Sequence, residues 1–318
     1  MPSTWEKRWL YSELGKKVVF LPSLLLHKEF RSTGLPKMLE GVLILADVSD
    51  FTALAHKCYR RSGPVRGAEE LAQSLNNYMR CILEEMMKFG GDILKFAGDA
   101  VLVMWRASGH DLPMAINLAL QCCRKIQKKY GTHETFMGHK LYLRIGISAG
   151  NLSFISVKGW DRQYFFICNW TLDDVIEAQG LSANHQVMLS QNCWDLCEQK
   201  RIRARPLAGK RAMKVVGMKR LGRKEYRAAV VRLNKSRGER HFEGTGLLRS
   251  TLVMSSDSET NRWLEKHLST AVLRKLSEHV RWSCALSYGP SPASSSSCGL
   301  LTRSPCWNSA RPSAIAAR

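Results

Sequence analysis

An apolar run at residues 41–48, GVLILADV, sets the architecture that we expect for this chain. It is short, rich in Val, Leu and Ile, and bounded by polar residues, which predicts a buried β-strand. The run carries Asp47 next to its last residue. A carboxylate is therefore expected at the C-terminal end of this strand.

A second stretch, residues 92–105, reads DILKFAGDAVLVMW and has two apolar halves separated by Ala97, Gly98 and Asp99. This pattern predicts a tight β-hairpin in which Gly98 takes a positive φ and Asp99 lies at or just past the turn. If the hairpin pairs beside the first strand in an antiparallel arrangement, Asp47 and Asp99 approach each other.

Helical and strand patterns alternate through the middle of the chain. Apolar positions at three- and four-residue steps predict a helix over residues 67–88 that ends at Gly90 and Gly91. Further helices are predicted at 112–130, 172–183 and 192–199, and further strands at 141–149, 152–157, 164–168 and 187–190. The order strand, helix, hairpin, helix, strand predicts a ferredoxin-like α+β sheet with helices on one face.

The charge of the chain is concentrated in one segment. The 318 residues include 48 Lys+Arg and 27 Asp+Glu, a net charge of +21, and 45% are hydrophobic, which excludes a wholly disordered polyelectrolyte. Residues 200–240 hold 16 basic and two acidic residues, and so 14 of the 21 excess charges. Apolar residues alternate at Met213, Val215, Val216 and Met218 and recur at 228–231, so we interpret the segment as paired strands with a solvated basic face. No RNA-binding or zinc-finger spacing accompanies the charge, and nucleic acid is not the expected partner.

Ten scattered cysteines form no C-x-x-C pair, which indicates a reduced, cytoplasmic chain. The N-terminus has no signal-peptide pattern, and no apolar run approaches the ~20 residues of a membrane span, so we expect no transmembrane segment. Residues 281–318 contain ten Ser, four Pro and no acidic residue. This composition predicts a disordered, low-complexity tail.

Two neighbouring carboxylates indicate a metal site. Asp47 and Asp99 would each raise the pKa of the other unless a cation intervenes, and two oxygen ligands beside a turn suit Mg²⁺. Residues 48–52, VSDFT, lead from the strand end toward a helix and can offer backbone N–H groups to phosphate. Spacing alone leaves an alternative open, in which Asp99 serves only the turn and Asp47 caps the next segment.

The stretches GVLILADVSDFTAL and FGGDILKFAGDAVLVMW resemble the two signature segments of class III nucleotide cyclase catalytic domains. Within that family the chain is most similar to the first catalytic domain of the soluble, bicarbonate-responsive adenylyl cyclases of animals. The resemblance covers residues 35–219 and, more weakly, continues to about residue 279. It implies four parts: an N-terminal extension at 1–34, a catalytic domain at 35–222, a connector like that before a second cyclase domain at 223–280, and the tail at 281–318.

The resemblance implies a reaction and a site. ATP would be converted to cyclic AMP and pyrophosphate with two Mg²⁺ or Mn²⁺ ions, held by Asp47, Asp99 and the backbone carbonyl of Val48. The backbone of Phe51 and Thr52 would lie near the triphosphate. Lys95 matches a family lysine that recognises adenine in symmetric members and faces the bicarbonate pocket in the soluble enzyme. The alternative interpretation of Lys95 is structural: a lysine on a strand whose aliphatic stem covers apolar surface.

Departures from the family pattern limit what the chain can do alone. Family members complete their site at a dimer interface with an Asn and an Arg, and the aligned residues here are Asp173 and Glu177. We therefore expect the isolated chain to be weak or inactive, and to need a complementary catalytic domain in trans or as a pseudo-dimer. Asp50 replaces a glycine of the family, and Ile176 replaces the bicarbonate-binding arginine, so bicarbonate stimulation is not expected. The alternative is a truncated, inactive cyclase-like protein that binds nucleotide or a partner.

Overall fold

The computed structural model describes residues 17, 21–30, 34–236, 258–270, 272–274 and 276. The α-helices are α1 (Ser23–Leu26), α2 (Phe51–Lys88), α3 (Leu112–Tyr130), α4 (Trp170–Gly180), α5 (Gln191–Leu196), α6 (Arg223–Ser236) and α7 (Ser258–His267). The strands are β1 (Lys37–Ser49), β2 (Asp92–Ala97), β3 (Ala100–Arg106), β4 (Thr132–Glu134), β5 (Lys140–Lys158), β6 (Gln163–Cys168), β7 (Val187–Ser190), β8 (Ile202–Pro206) and β9 (Ala212–Met218). The tail predicted at 281–318 lies outside the described residues.

The strands of the described part form one sheet in the order β2-β3-β1-β5-β7-β9-β8, and β4 and β6 pair with the two ends of the long strand β5. The β5–β7 pairing is parallel and the others are antiparallel. The succession β1, α2, β2–β3 hairpin, α3, β5 is the predicted ferredoxin-like order. The predicted α+β fold class is therefore confirmed.

Strand β1 is apolar on both faces. Val42, Ile44 and Ala46 belong to the larger core cluster, and Leu39 and Leu43 belong to a second cluster. Side chains of a strand alternate between the faces of its sheet, so the two clusters lie on opposite sides. A strand buried on both faces appears as the continuous apolar run seen in the sequence.

The first face of the sheet carries the larger core, which is built with helices α2, α3 and α6. Tyr78 and Ile82 of α2, Ile116 of α3 and Val230 of α6 are all buried there. Trp105 of β3 is fully buried in the same cluster, and its Nε1–H donates to the Phe89 carbonyl over 2.8 Å.

The second face is also covered by helices, which corrects the prediction of helices on one face only. Leu25 of α1, Val175 of α4 and Leu264 of α7 are fully buried in the second cluster, together with Phe154 of β5. The physical reason is the apolar second face of β1 and β5, which must be shielded from water. Helices α1 and α7 belong to segments predicted as extension and connector, and the domain boundaries stay predictions.

The strands predicted at 141–149 and 152–157 are in fact one strand, β5. Gly150 and Asn151, the predicted turn, pair instead with Gly41 and Glu40 of β1. The thirteen residues of β1 offer ladder partners along its whole length. A turn in β5 would leave the backbone groups of β1 without partners, so the pairing continues.

Helix α2 begins well before the predicted start at residue 67. Gly63 has a non-helical conformation, with φ of 75° and ψ of 180°, and Pro64 follows it, so a kink divides the helix. Proline is well suited to the first turn of a new helical segment. The segment after the kink was predicted because its apolar residues recur at helical spacing. The segment before the kink is largely exposed, so few buried apolar positions mark it as a helix.

The basic segment contains the two predicted strands, β8 and β9, with exposed Arg203 and Arg205 on the outer side of β8. Residues 228–231 lie on α6 and do not continue the strand pattern, because Ala229, Val230 and Leu233 pack as a helical stripe on the first-face core. Within the described residues, no helix has both the length and the apolar character needed to cross a bilayer.

Candidate functional site

The register of the sheet brings Asp47 and Asp99 together. Asp47 pairs across β1–β3 with Ala100, the residue that follows Asp99. Gly98 and Asp99 form the two-residue turn of the β2–β3 hairpin, and Gly98 has φ of 65°. A positive φ at the first turn position only is typical of a type II′ turn, which places Asp99 beside the end of β1.

The electrostatics show that the two carboxylates interact. Burial raises the pKa of the Asp99 carboxyl above its ordinary value, and the nearby charge of Asp47 raises it further. A hydrogen bond from its own backbone N–H and the charge of Arg144 lower that pKa, but less strongly. A bound cation would relieve the repulsion between the carboxylates.

The donor set fits a hard divalent cation. The candidate ligands are the carboxylate oxygens of Asp47 and Asp99. The turn of the β2–β3 hairpin, Gly98 and Asp99, contributes neither a thiolate nor an imidazole. Among the described residues, no cluster of three or more His, Cys, Asp or Glu side chains forms a closed metal site. Mg²⁺ commonly uses one or two protein carboxylates and completes its shell with water and phosphate oxygens.

Asp47 is buried, with 9% of its surface exposed, and it is held by two donors. Arg144, its partner in the β1–β5 register, donates from Nη2 to Asp47 Oδ2. Gln179 of α4 donates from Nε2 to the same oxygen over 3.2 Å. Sequence reasoning missed both residues. A cation inside the otherwise apolar strand 141–149 was a usable signal for Arg144, whereas nothing local singled out Gln179.

The start of helix α2 lies directly after β1. Asp50 occupies the N-cap with φ of 66°, and the first helical hydrogen bond runs from the Leu54 N–H to the Asp50 carbonyl. The N–H groups of Phe51 and Thr52 therefore have no acceptor within the helix and carry the positive end of its dipole. Asp50 stands where the resembled family has glycine, and the left-handed conformation explains why glycine suits this position.

Lys95 reaches the same side of the sheet as Asp47 through a β-bulge. The β2–β3 register shifts between Ile93 and Lys95, so that Lys95 pairs with Leu102. Leu102 lies on the second face, the face of Asp47. Without the bulge Lys95 would point to the opposite face; with it, Lys95 is exposed beside the hairpin turn.

Comparison with known proteins decides the family. No family model matches the chain. The chain is 32% identical over 264 residues to adenylate cyclase type 10 of Oryctolagus cuniculus and 32% identical over 262 residues to that of Homo sapiens. These matches cover 81% and 80% of this chain, but only 16% of the length of each relative. The chain belongs to the class III nucleotide cyclases.

Solved cyclase structures resemble this cyclase domain as well. One is the guanylate cyclase domain of RhGC from Catenaria anguillulae in complex with GTP, with 18% identity and a TM-score of 0.48. The match covers 57% of this chain and 100% of that one. The family assignment rests on the sequence relatives and on the strand order described above.

Helix α4 of the cyclase domain presents an acidic outer face. Asp173, Ile176 and Glu177 are all exposed, and Asp173 lies three residues before Ile176 and four before Glu177, on the same side of the helix. The inner side of the same helix carries buried Val175 and the Gln179 that bonds Asp47. One helix thus connects an exposed surface with the carboxylate at the centre of the site.

Proposed function

We propose that this chain is the metal-bearing half of an adenylate cyclase, which converts ATP to cyclic AMP and pyrophosphate when a complementary catalytic domain completes the site. One observation carries the proposal: Asp47 and Asp99 converge at one end of the sheet, next to the exposed N-terminus of α2. Paired carboxylates and free backbone N–H groups form the combination that binds a metal-complexed triphosphate.

Different residues of the site would bind the metal ions and the triphosphate. Asp47, Asp99 and the carbonyl of Val48 would hold two Mg²⁺ or Mn²⁺ ions, and the N–H groups of Phe51 and Thr52 would bind triphosphate oxygens. The ions, when bound, supply activation of the ribose 3′-oxygen and neutralisation of the departing pyrophosphate.

Arg144 adds a cation whose guanidinium can bond either Asp47 or a phosphate oxygen. In the absence of ligand it neutralises Asp47, with which it shares a hydrogen bond. When cations neutralise the carboxylates, the guanidinium is free to turn to a phosphate oxygen, for which its planar donor geometry is suited.

Helix α4 lacks the two groups with which the resembled family completes the reaction. The α4 positions that carry Asn and Arg in the resembled family are Asp173 and Glu177 here, and both are exposed carboxylates. Two copies of this chain would bring negative charge to the transferring phosphate, where positive charge is needed. A different catalytic domain must therefore supply the cation, and Lys95 would contact either the base or that domain.

Exposed apolar residues support a partner surface on the β5–β6 hairpin, at the end of β5 away from Arg144 and Asp47. Tyr164 and Phe166 of β6, with Val157 of β5, are 55%, 47% and 45% exposed. Trp160 and Trp170 at the two ends of this hairpin are exposed still more. A contiguous apolar patch of this kind is typical of a protein interface.

An inactive, nucleotide- or partner-binding role is the second candidate. Asp50 adds a negative charge at the start of α2, and Arg144 occupies one oxygen of Asp47. The first feature opposes binding of the triphosphate, and the second competes with a metal ion for Asp47. The seven described cysteines are free thiols, which supports the reducing cytoplasm as the compartment of either form.

The deciding experiment is a cyclic AMP assay with ATP and Mg²⁺ or Mn²⁺, using the purified chain alone and mixed with a separately expressed second catalytic domain. Activity only in the mixture, abolished by Asp99→Asn, supports the cyclase half. Metal-dependent nucleotide binding without turnover supports the inactive role. Robust turnover by the lone chain contradicts the role given to Asp173 and Glu177.

A further inference from the structure

The hydrogen bonds of Asp47 are unevenly distributed between its two oxygens. Oδ2 accepts from both Arg144 and Gln179. Among the described residues, no donor reaches Oδ1. The carboxylate is therefore held by one oxygen, while the other stays available to a ligand on the Asp99 side.

We propose that Gln179 is a positioning residue, which orients Asp47 so that one carboxylate oxygen is presented to the cation shared with Asp99. This inference rests on the proposed metal–nucleotide function of the site. Outer-shell hydrogen bonds of this kind orient metal ligands and set metal affinity.

The backbone of α4 is anchored closely enough to make Gln179 a fixed donor. A Cβ atom built on Gly146 of β5 would lie 2.4 Å from the Gln179 backbone nitrogen and 2.7 Å from the Val175 carbonyl oxygen. Val175 is fully buried beside it, and Thr171 Oγ1 donates to the Asn151 carbonyl over 2.7 Å at the other end of the helix. The helix is thus held against β5 over its length.

The two donors to Asp47 differ in charge, and this separates their effects on metal binding. Arg144 is a cation that competes with a metal ion for the carboxylate. Gln179 is neutral, so its bond to Oδ2 remains compatible with a cation at Oδ1. Removing the arginine should therefore strengthen binding of a free metal ion, whereas removing the glutamine amide should weaken it.

The test compares Gln179→Met with the unsubstituted full chain, because methionine keeps the length of the side chain and removes the donor. Mn²⁺ binding is measured by the electron paramagnetic resonance signal of free Mn²⁺, and binding of a non-hydrolysable ATP analogue by calorimetry at limiting and saturating Mn²⁺. We expect Gln179→Met to weaken Mn²⁺ binding about tenfold. Nucleotide affinity should recover at saturating Mn²⁺, and the melting temperature should stay close to that of the parent.

Gln127→Met is the matched control. Gln127 donates to the carbonyls of Leu143 and Gln186 over 2.9 and 3.1 Å, so its amide stabilises backbone without touching Asp47. This variant should lose stability and keep the Mn²⁺ affinity of the parent. Arg144→Met should shift Mn²⁺ binding in the direction opposite to Gln179→Met.

Three results overturn the inference. Unchanged Mn²⁺ binding in Gln179→Met, with metal-dependent nucleotide binding intact in the parent, removes the role of Gln179 and leaves the proposed function standing. Weaker binding that is matched by Gln127→Met or by a loss of fold assigns Gln179 a structural role only. If the nucleotide affinity of the parent chain does not depend on Mn²⁺ and is unchanged by Asp99→Asn, the proposed function and this inference are both refuted.

Discussion

Gly146 of β5 lies directly beneath Gln179 of α4, so close that a Cβ atom at residue 146 would sit 2.4 Å from the Gln179 backbone nitrogen. Gly146→Ala should therefore push α4 away from the sheet and lower the free energy of unfolding by about 1–3 kcal/mol. Urea unfolding followed by circular dichroism measures this change.

Gly180→Ala is the matched control on the same helix. Nothing lies within 4 Å of a Cβ atom built on Gly180. We expect stability to stay equal or to rise slightly, because alanine favours helix. Equal stability for Gly146→Ala and the parent would show that α4 does not pack on β5 at this distance.

Arg144→Met should separate metal binding from nucleotide binding. The substitution removes the cation bonded to Asp47, so free Mn²⁺ should bind more tightly. ATP should bind about tenfold more weakly at saturating Mn²⁺, because a charge-assisted contact to phosphate is lost. Calorimetry with each ligand measures both changes, and a shift of the two affinities in the same direction would contradict the change of partners proposed for Arg144.

Asp50→Asn should strengthen nucleotide binding without changing the fold. Asparagine tolerates the left-handed conformation seen at this N-cap, and it removes a negative charge beside the expected phosphate site. We expect about fivefold tighter binding of ATP with Mg²⁺ at low salt. The gain should shrink as salt is added. Asp161→Asn, which removes the same charge in the turn between β5 and β6, should leave ATP affinity unchanged.

Cysteine alkylation should follow burial. Burial raises the pKa of the Cys122, Cys123 and Cys193 thiols, which leaves little thiolate at neutral pH. Cys81 and Cys168 are partly exposed. Iodoacetamide at pH 7.5 should modify Cys81 and Cys168 first, as peptide mass mapping would show, while urea should make all five reactive. Rapid labelling of Cys193 in the folded chain would contradict its place in the core.

Acid should destabilise the fold through His133. Burial lowers the pKa of this imidazole, which stacks on Tyr78 with ring centroids 4.6 Å apart. As pH falls below the ordinary histidine pKa of about 6.5, the unfolded chain binds a proton that the folded chain resists, so the free energy of unfolding falls. The loss levels off once the pH passes below the folded-state pKa.

His133→Phe should flatten part of this pH dependence, because it keeps the stacking and removes the titration. Urea midpoints between pH 8 and 5 measure the difference. A residual slope is expected from His267, whose pKa is also lowered by burial. An unchanged slope in His133→Phe would show that His133 titrates equally in the folded and unfolded chains.

Local sequence patterns predicted most of the elements around the site. The run at 41–48, the hairpin turn at Gly98 and the helix at 112–130 depend on periodicity and turn chemistry within about twenty residues, and all three are confirmed. The continuous strand β5 was missed because its course past Gly150 depends on β1, a partner far away in the chain.

By itself, the sequence determined the family, the α+β order and the pair of aspartates proposed for the site, since these follow from short motifs and from residue spacing. Only the tertiary structure decided what surrounds Asp47: the bonds from Arg144 and Gln179, and the bulge that turns Lys95 to the same face. These contacts join residues distant along the chain, and they follow from strand register and from the packing of α4 against Gly146. The local periodicity of a sequence does not specify strand register or the position at which a helix packs on the sheet, because both depend on the packing of the whole sheet.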